Sequence, residues 1–199
     1  MPTSMIIVDD FFSDAQGFRE AGLRLAFPEQ DSNFPGRNSY QRIEIPGLNE
    51  HVSQLVGEKL QPLPNSGHAK FRLTLASDLG RAGVHVDPGY WSGILYLSRP
   101  EDCRGGTEFF RHKRTNTERR PMNDQEVAAL GYKTYADSEH DILGRDTLDA
   151  SAWERTMTVP MRFNRLLLLR PWLWHTAGAA FGDRPENGRL VYLLFFAPA

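Results

Sequence analysis

The chain is short of cysteine. Cys103 is the only one in 199 residues, so no disulfide can form within the chain, and a reducing compartment is the expected setting. Long apolar runs are missing too. The longest, Leu190 to Ala197, has eight residues, against the roughly 20 that a membrane-spanning helix needs. The N-terminal stretch MPTSMIIVDDFF has neither the basic start nor the long apolar segment of a secretory signal. Neither sign of charge prevails: 23 Lys and Arg stand against 25 Asp and Glu, a formal net charge of -2. That balance gives no overall attraction to nucleic acid or to an anionic membrane. Internal repeats and low-complexity segments are absent. These absences lead us to expect a soluble, cytoplasmic protein.

What is present suits a globular core, with 40% hydrophobic and 24% charged residues. The length fits one domain, residues 1–199, carrying an insertion. Residues 1–66 read as a helical N-terminal support. Met5 to Val8 is a short edge strand. Ser13 or Asp14 can cap a helix over Ala15 to Phe27, stopped by Pro28, with Phe18, Ala21 and Leu25 at helical spacing. Residues 29–38 form a loop by composition. Tyr40 to Ile45 alternates like a half-buried strand, and Leu48 to Leu60 spaces Val52, Leu55, Val56 and Leu60 on one helical face. From His68 the pattern becomes β. Strands are expected at Lys70–Leu75, around His85, and at Trp91–Leu97 and Gly106–Phe110. Four more follow, at Thr156–Val159, Arg165–Leu169, Trp172–Thr176 and Arg189–Phe196. The β-core thus spans 67–110 and 156–197. Between them, 111–155 is a polar insertion with a helix near Asn123–Leu130, capped by Asn123 or Asp124. The fold class expected is mainly β with flanking helices, a jelly roll with the N-terminal helices packed outside.

The chemistry centres on Gly83-Val84-His85-Val86-Asp87-Pro88-Gly89. Side chains in a strand alternate with period 2, so His85 and Asp87 share a face and can reach one divalent metal. Pro88-Gly89 ends the strand. His-x-Asp is short and common, and an ordinary strand histidine before a turn-initiating Asp would look the same. A third ligand must come from elsewhere. Of the other histidines, His51 falls on a polar helix face, His112 and His140 in the polar insertion, and His68 beside a turn. His175 alone lies in a second apolar strand, 175 − 85 = 90 residues on, followed by small residues. Two histidines and a carboxylate on one face leave open positions on an octahedral metal and favour Fe(II) oxygen chemistry, although zinc accepts the same ligands. Arg189 opens the last apolar strand, where an inward guanidinium needs an anionic partner. Tyr96 can add a phenolic hydrogen bond. Gly105-Gly106-Thr107 lets a strand start close against its neighbours.

In order and spacing these residues resemble the Fe(II)/2-oxoglutarate-dependent dioxygenases, on the prolyl-4-hydroxylase-like side. The motifs run His85-x-Asp87, Leu95-Tyr96-Leu97-Ser98, Gly105-Gly106-Thr107-Glu108-Phe109, Asn164 to Leu169, His175 and Arg189. Ile7 to Phe12 and Asn33-Phe34-Pro35-Gly36 also look like a poorly characterised bacterial subgroup of that superfamily. The resemblance implies a double-stranded β-helix with its site at one open end. It implies Fe(II) held by His85, Asp87 and His175, 2-oxoglutarate as co-substrate with Arg189 on its distal carboxylate and Tyr96 assisting, and O2 as oxidant. The sequence departs from the family in two places. Arg189 follows His175 by 189 − 175 = 14 residues, and Val191 stands where a Ser or Thr often does. An acid at Asp87 implies hydroxylation rather than halogenation.

Three other readings compete. A cupin-like metal enzyme would keep the ligands and not need Arg189. A binding module would keep the fold without the reaction. A nucleic-acid oxygenase rests on the basic stretch RHKRTNTERR alone, which the slightly acidic whole disfavours. The expected substrate is a small molecule or a peptidyl side chain, read by the insertion and the 29–38 loop. Trp91, Trp172 and Trp174 are candidates for apolar walls or core.

Overall fold

The computed structural model describes residues 3–199. In chain order the strands are β1 (Met5–Val8), β2 (Arg37–Asn38), β3 (Leu60–Pro62), β4 (Lys70–Thr74), β5 (Trp91–Tyr96), β6 (Gly106–His112), β7 (Trp153–Pro160), β8 (Arg165–Leu169), β9 (His175–Thr176) and β10 (Arg189–Pro198). The helices are α1 (Ala15–Leu23), α2 (Leu48–Val56), α3 (Asp124–Ala129) and α4 (Tyr135–Asp146). Two antiparallel sheets face each other as a jelly roll. The larger runs β1-β8-β5-β10-β4-β2, with β3 also on β10; the smaller runs β7-β6-β9.

Alternation along the central strands of the large sheet sorts side chains by function. Phe71 and Leu73 of β4, Trp91 and Leu95 of β5, and Leu190, Tyr192, Leu194 and Phe196 of β10 point to one face. They form the main core with Leu48 and Val52 of α2, and Phe18 of α1 packs against it. The Phe18 and Phe71 rings lie 4.9 Å apart, and Phe18 meets Tyr192 edge-on at 5.0 Å. Burying so many rings and branched chains is the principal driving force for this layer, about 1.5–3 kcal/mol for each large side chain. The opposite face, carrying Arg72, Ser92, Ile94, Arg189 and Val191, lines the interior of the roll.

The helices begin where the sequence says and stop earlier. Asp14 caps α1, its carboxylate accepting from the Gly17 N–H at 2.8 Å. α1 ends at Leu23 rather than Phe27, and α2 at Val56 rather than Leu60. In α2 the cause is Gly57, which takes the left-handed conformation at φ 72° and closes the helix. Leu60 is then free to start β3 on β10. The strand expected at Tyr40–Ile45 is absent. The edge of β4 is already taken by β2, and Arg42 turns to the carbonyls of Ser66 and His68. The C-terminal half of the region matches more closely, but Trp172–Thr176 shrinks to β9, and β7 starts at Trp153 rather than Thr156.

The insertion is narrower and better ordered than expected. It lies between the end of β6 at His112 and the start of β7 at Trp153, and it contains two helices rather than one. Asn123 caps α3, and Thr134 with Asp137 forms a capping box on α4. His112 is not in a polar loop; it is fully buried at the end of β6, with Nε2 2.9 Å from Asp146 and Nδ1 2.8 Å from Thr115. Within the basic stretch, Arg111 pairs with Glu118, Arg114 with Asp141 and Asp146, and Arg119 with Glu126. These ion pairs hold the insertion together. No helix among the described residues is long and apolar enough to cross a membrane.

Candidate metal centre

The residues around His85 do not form a regular strand. His85 makes a single antiparallel bridge to His175, donating its N–H to the His175 carbonyl at 2.9 Å and accepting in return at 3.1 Å. Asp87 N–H bonds the Pro171 carbonyl at 2.9 Å. This pairing extends the small sheet by one short segment beyond β9. It is how the fold closes a separation of 90 residues: two residues exchanging both backbone hydrogen bonds lie directly opposite, with side chains on the same face. The period-2 alternation holds. Val84 and Val86 point away, into a cluster with Trp153, Trp174 and Ile142 of α4, so the insertion buttresses the segment from behind.

His85, Asp87 and His175 offer three ligand atoms that all lie within 4.8 Å of one another. Nε2 of His85 is 3.7 Å from Asp87 Oδ1, and Nε2 of His175 is 3.5 Å from Asp87 Oδ2. Each imidazole is aimed by its other nitrogen. His85 Nδ1 lies 2.8 Å from the Gly83 carbonyl, and His175 Nδ1 is 2.8 Å from the Leu173 carbonyl. Both Nδ1 atoms must therefore be the protonated donors, which leaves each Nε2 lone pair directed at the shared space. That is the usual arrangement for metal-binding histidines. Ser92 Oγ donates to Asp87 Oδ2 at 2.9 Å and fixes the carboxylate.

The protonation states of His85 and Asp87 suit a cation site, and that of His175 answers to the Asp87 charge. Burial, then the neighbouring His175, pushes His85 down to about 4, so its imidazole is neutral at ordinary pH. Asp87 sits at about 2: burial alone would raise it, but the charges and hydrogen bonds of His175, His85 and Ser92 outweigh that. His175 moves up, because the attraction and hydrogen bond of Asp87 exceed the cost of its burial. Two imidazole nitrogens and one carboxylate oxygen, on one side of a cavity, match the donor set of Fe(II) or Zn(II).

The ligands line a cavity of about 220 Å³. Arg189 lines it as well. The residue is 3% exposed, yet among the described residues its guanidinium donates no hydrogen bond and has no carboxylate within ion-pair distance. Burial depresses its pKa. A buried, unpaired guanidinium beside a cavity is costly unless an anion enters. Tyr96 is placed otherwise than expected. It stands in the wall near Arg189 but is not among the cavity-lining side chains, and its hydroxyl is held by the Thr107 hydroxyl at 2.7 Å and the Thr107 N–H at 3.1 Å. It fastens β5 to β6. None of the tryptophans lines the cavity: Trp91 and Trp174 are core, and Trp172 packs on Arg170.

Sequence reasoning assigned no role to four participants. Ser92 gives no signal, being an ordinary serine at the start of β5. Arg72 and Asn38 line the same cavity, directly opposite each other in the β4–β2 register. The alternation of Phe71, Leu73 and Leu75 against Arg72 and Thr74 separates two faces of the strand, but nothing in the sequence says that the polar one lines the interior of the roll. Phe34, from the 29–38 loop, packs its ring 4.4 Å from that of His85.

The fold and site define a jelly roll with a His-Asp-His cluster inside it. A family model matches residues 2–196, and the chain belongs to that family, DUF6445, a family of unknown function. Comparison with curated proteins yields no match. Among solved structures, the chain resembles the non-heme alpha-ketoglutarate-dependent carbocyclase SnoK from nogalamycin biosynthesis, with 13% identity and a TM-score of 0.56, over 100% of this chain and 87% of that one. HygX from Streptomyces hygroscopicus, solved with nickel and 2-oxoglutarate, is similar at 17% identity and a TM-score of 0.48, over 99% and 84% of the two chains.

Proposed function

We propose that the protein is a non-haem Fe(II)/2-oxoglutarate-dependent oxygenase that hydroxylates a small-molecule or peptidyl substrate. The observation that carries this reading is the shared cavity of a two-histidine, one-carboxylate cluster and a buried arginine without an acidic partner. Bound at the cluster, ferrous iron with 2-oxoglutarate supplies the oxidising power, O2 and 2-oxoglutarate giving succinate and CO2 while one oxygen atom enters a C–H bond. His85 presents a neutral Nε2 donor, His175 would give up its Nε2 proton to the bound metal, and both rings are locked by backbone carbonyls. Asp87 supplies the one negative charge, held by Ser92. Arg189 takes the distal carboxylate of 2-oxoglutarate, in a surrounding of Ile94 and Val191 that keeps water away and strengthens the pairing. SnoK, a protein of this fold, is likewise non-heme and alpha-ketoglutarate-dependent, although its described activity is carbocyclisation. A metal enzyme that dispenses with 2-oxoglutarate would leave Arg189 buried with nothing to neutralise it.

The test is anaerobic titration of the Fe(II)-loaded protein with 2-oxoglutarate, following the visible charge-transfer band of the bidentate chelate. The wild type should develop the band, Arg189→Ala should weaken it, and His175→Ala should abolish it. Iron binding without any band in the wild type would count against the co-substrate; failure to bind iron would remove the metal centre itself.

A further inference from the structure

A second group of polar side chains lines the same cavity, and the proposed reaction does not use it: Ser32, Asn38 and Arg72. Most of the Arg72 donors are spent on the backbone. Nε bonds the Pro35 carbonyl, Nη2 reaches the carbonyls of Phe34, Pro35 and Gly36, and Nη1 donates to Asn38 Oδ1 at 2.8 Å. A guanidinium has five N–H groups, so one Nη1–H has no partner among the described residues. The same bond fixes the Asn38 amide. Its oxygen is taken by Arg72, and its Nδ2 donates to no described residue. Ser32 Oγ accepts from the Phe34 N–H at 3.2 Å and keeps its own proton to give. Three adjacent groups therefore present donors, and none presents a free charged acceptor. Arg72 also has no carboxylate within ion-pair distance among the described residues.

The charge balance points the same way. Arg72 and Arg189 with a divalent ion, against Asp87 alone, leave three positive charges around the cavity. The 2-oxoglutarate dianion cancels two. One remains, and a buried net charge calls for a counter-ion. A singly charged carboxylate meets it; a phosphate dianion overshoots. Beyond the donors the lining is apolar, with Phe34, Leu193 and Phe195. Resting on the oxygenase reading above, we infer that the substrate is a small carboxylic acid with an apolar body, its carboxylate docked on Arg72 Nη1 and Asn38 Nδ2. By the same geometry Arg72 secures the 34–36 segment, whose Phe34 covers His85, so the residue that reads the substrate also holds the wall it rests against.

The experiment is calorimetric titration of the nickel-loaded protein, saturated with 2-oxoglutarate, with phenylacetate and with its uncharged counterpart phenylacetamide. Phenylacetate should bind at least about tenfold tighter, the effect of one charge-assisted hydrogen bond. Asn38→Asp, which keeps the shape and pairs with Arg72, should remove that preference while the affinity for 2-oxoglutarate stays within about twofold. Equal binding of the two probes, binding of neither, or an Asn38→Asp preference unchanged from wild type overturns the inference. So does a loss of 2-oxoglutarate affinity in Asn38→Asp, because the donors would then serve the co-substrate. If 2-oxoglutarate itself fails to bind while phenylacetate keeps its Asn38-dependent preference, the carboxylate site stands and the oxygenase reading falls.

Discussion

At the scale of single residues, the centre depends on groups that never meet the substrate. Ser92 fixes the Asp87 carboxylate, and the Gly83 and Leu173 carbonyls fix the two imidazoles. Partners of this kind typically contribute 10- to 100-fold to metal affinity. Ser92→Ala should therefore weaken Zn(II) or Ni(II) binding by about tenfold, read by competition with a chelator, with the fold intact by circular dichroism. An unchanged affinity would show that the carboxylate needs no such anchor. His68 offers a separate handle, outside the cluster itself. It is buried with Nδ1 against the Phe195 backbone, and burial lowers its pKa below the ordinary 6.5. The unfolded chain thus takes up a proton first as pH falls. His68 favours the folded state above about pH 6.5, and that contribution is lost on acidification below it. Thermal unfolding across that window should be steeper in the wild type than in His68→Gln.

At the scale of elements, close approach and charge pairing decide what can change. Gly106 opens β6 at φ 154°, and a Cβ there would collide with the Val159 carbonyl of β7. Gly178, in the left-handed region, would likewise collide with the Gly106 carbonyl. Gly106→Ala should force β6 away from β7 and loosen β9, which carries His175. The expected readout is a loss of both stability and metal binding. On α4, Thr134→Ala removes the capping box and should cost about 1 kcal/mol in denaturant unfolding. The insertion is held by carboxylates whose pKa values lie below their ordinary ones. Glu126 sits at about 2, chiefly through its hydrogen bond with Arg119, and Asp141 is lowered by Tyr132 and Arg114. Their contribution is present above about pH 4.5 and is lost as pH falls toward 2. These groups are partly open to solvent, so the effect is modest. Acid titration of helical circular dichroism should show it, and Arg114→Met should flatten that titration.

At the scale of the whole molecule, stability is concentrated where α1 and α2 cover the large sheet, on the face opposite the cavity. Phe71 is fully buried between Phe18 and Tyr192, and Gly22 of α1 seats against its ring. Phe71→Ala should cost about 3–5 kcal/mol, a fall in Tm on the order of 10 °C for a chain of this size. It should leave 2-oxoglutarate and metal affinity nearly unchanged in the fraction that folds, because Phe71 and Arg72 point to opposite faces. A parallel loss of metal affinity would mean that the two faces are mechanically coupled.

The sequence by itself determined the β-rich class, most strand positions, the two faces of β4, and the nomination of His85, Asp87, His175 and Arg189. These follow from local rules, namely the period-2 alternation, Pro-Gly punctuation, and the few residue types able to bind a metal or an anion. Only the tertiary structure decided which histidines meet, since the bridge between His85 and His175 joins segments 90 residues apart that carry no local mark of each other. It also decided that Tyr96 is tied to Thr107, that His112 is buried on Asp146, and that Tyr40–Ile45 is no strand because β2 already holds the edge of β4. The donors of Ser32, Asn38 and Arg72 belong to that second group. Hydrogen-bonding capacity is written in residue type, but whether a donor is spent or free depends on which backbone carbonyls the folded chain brings to it.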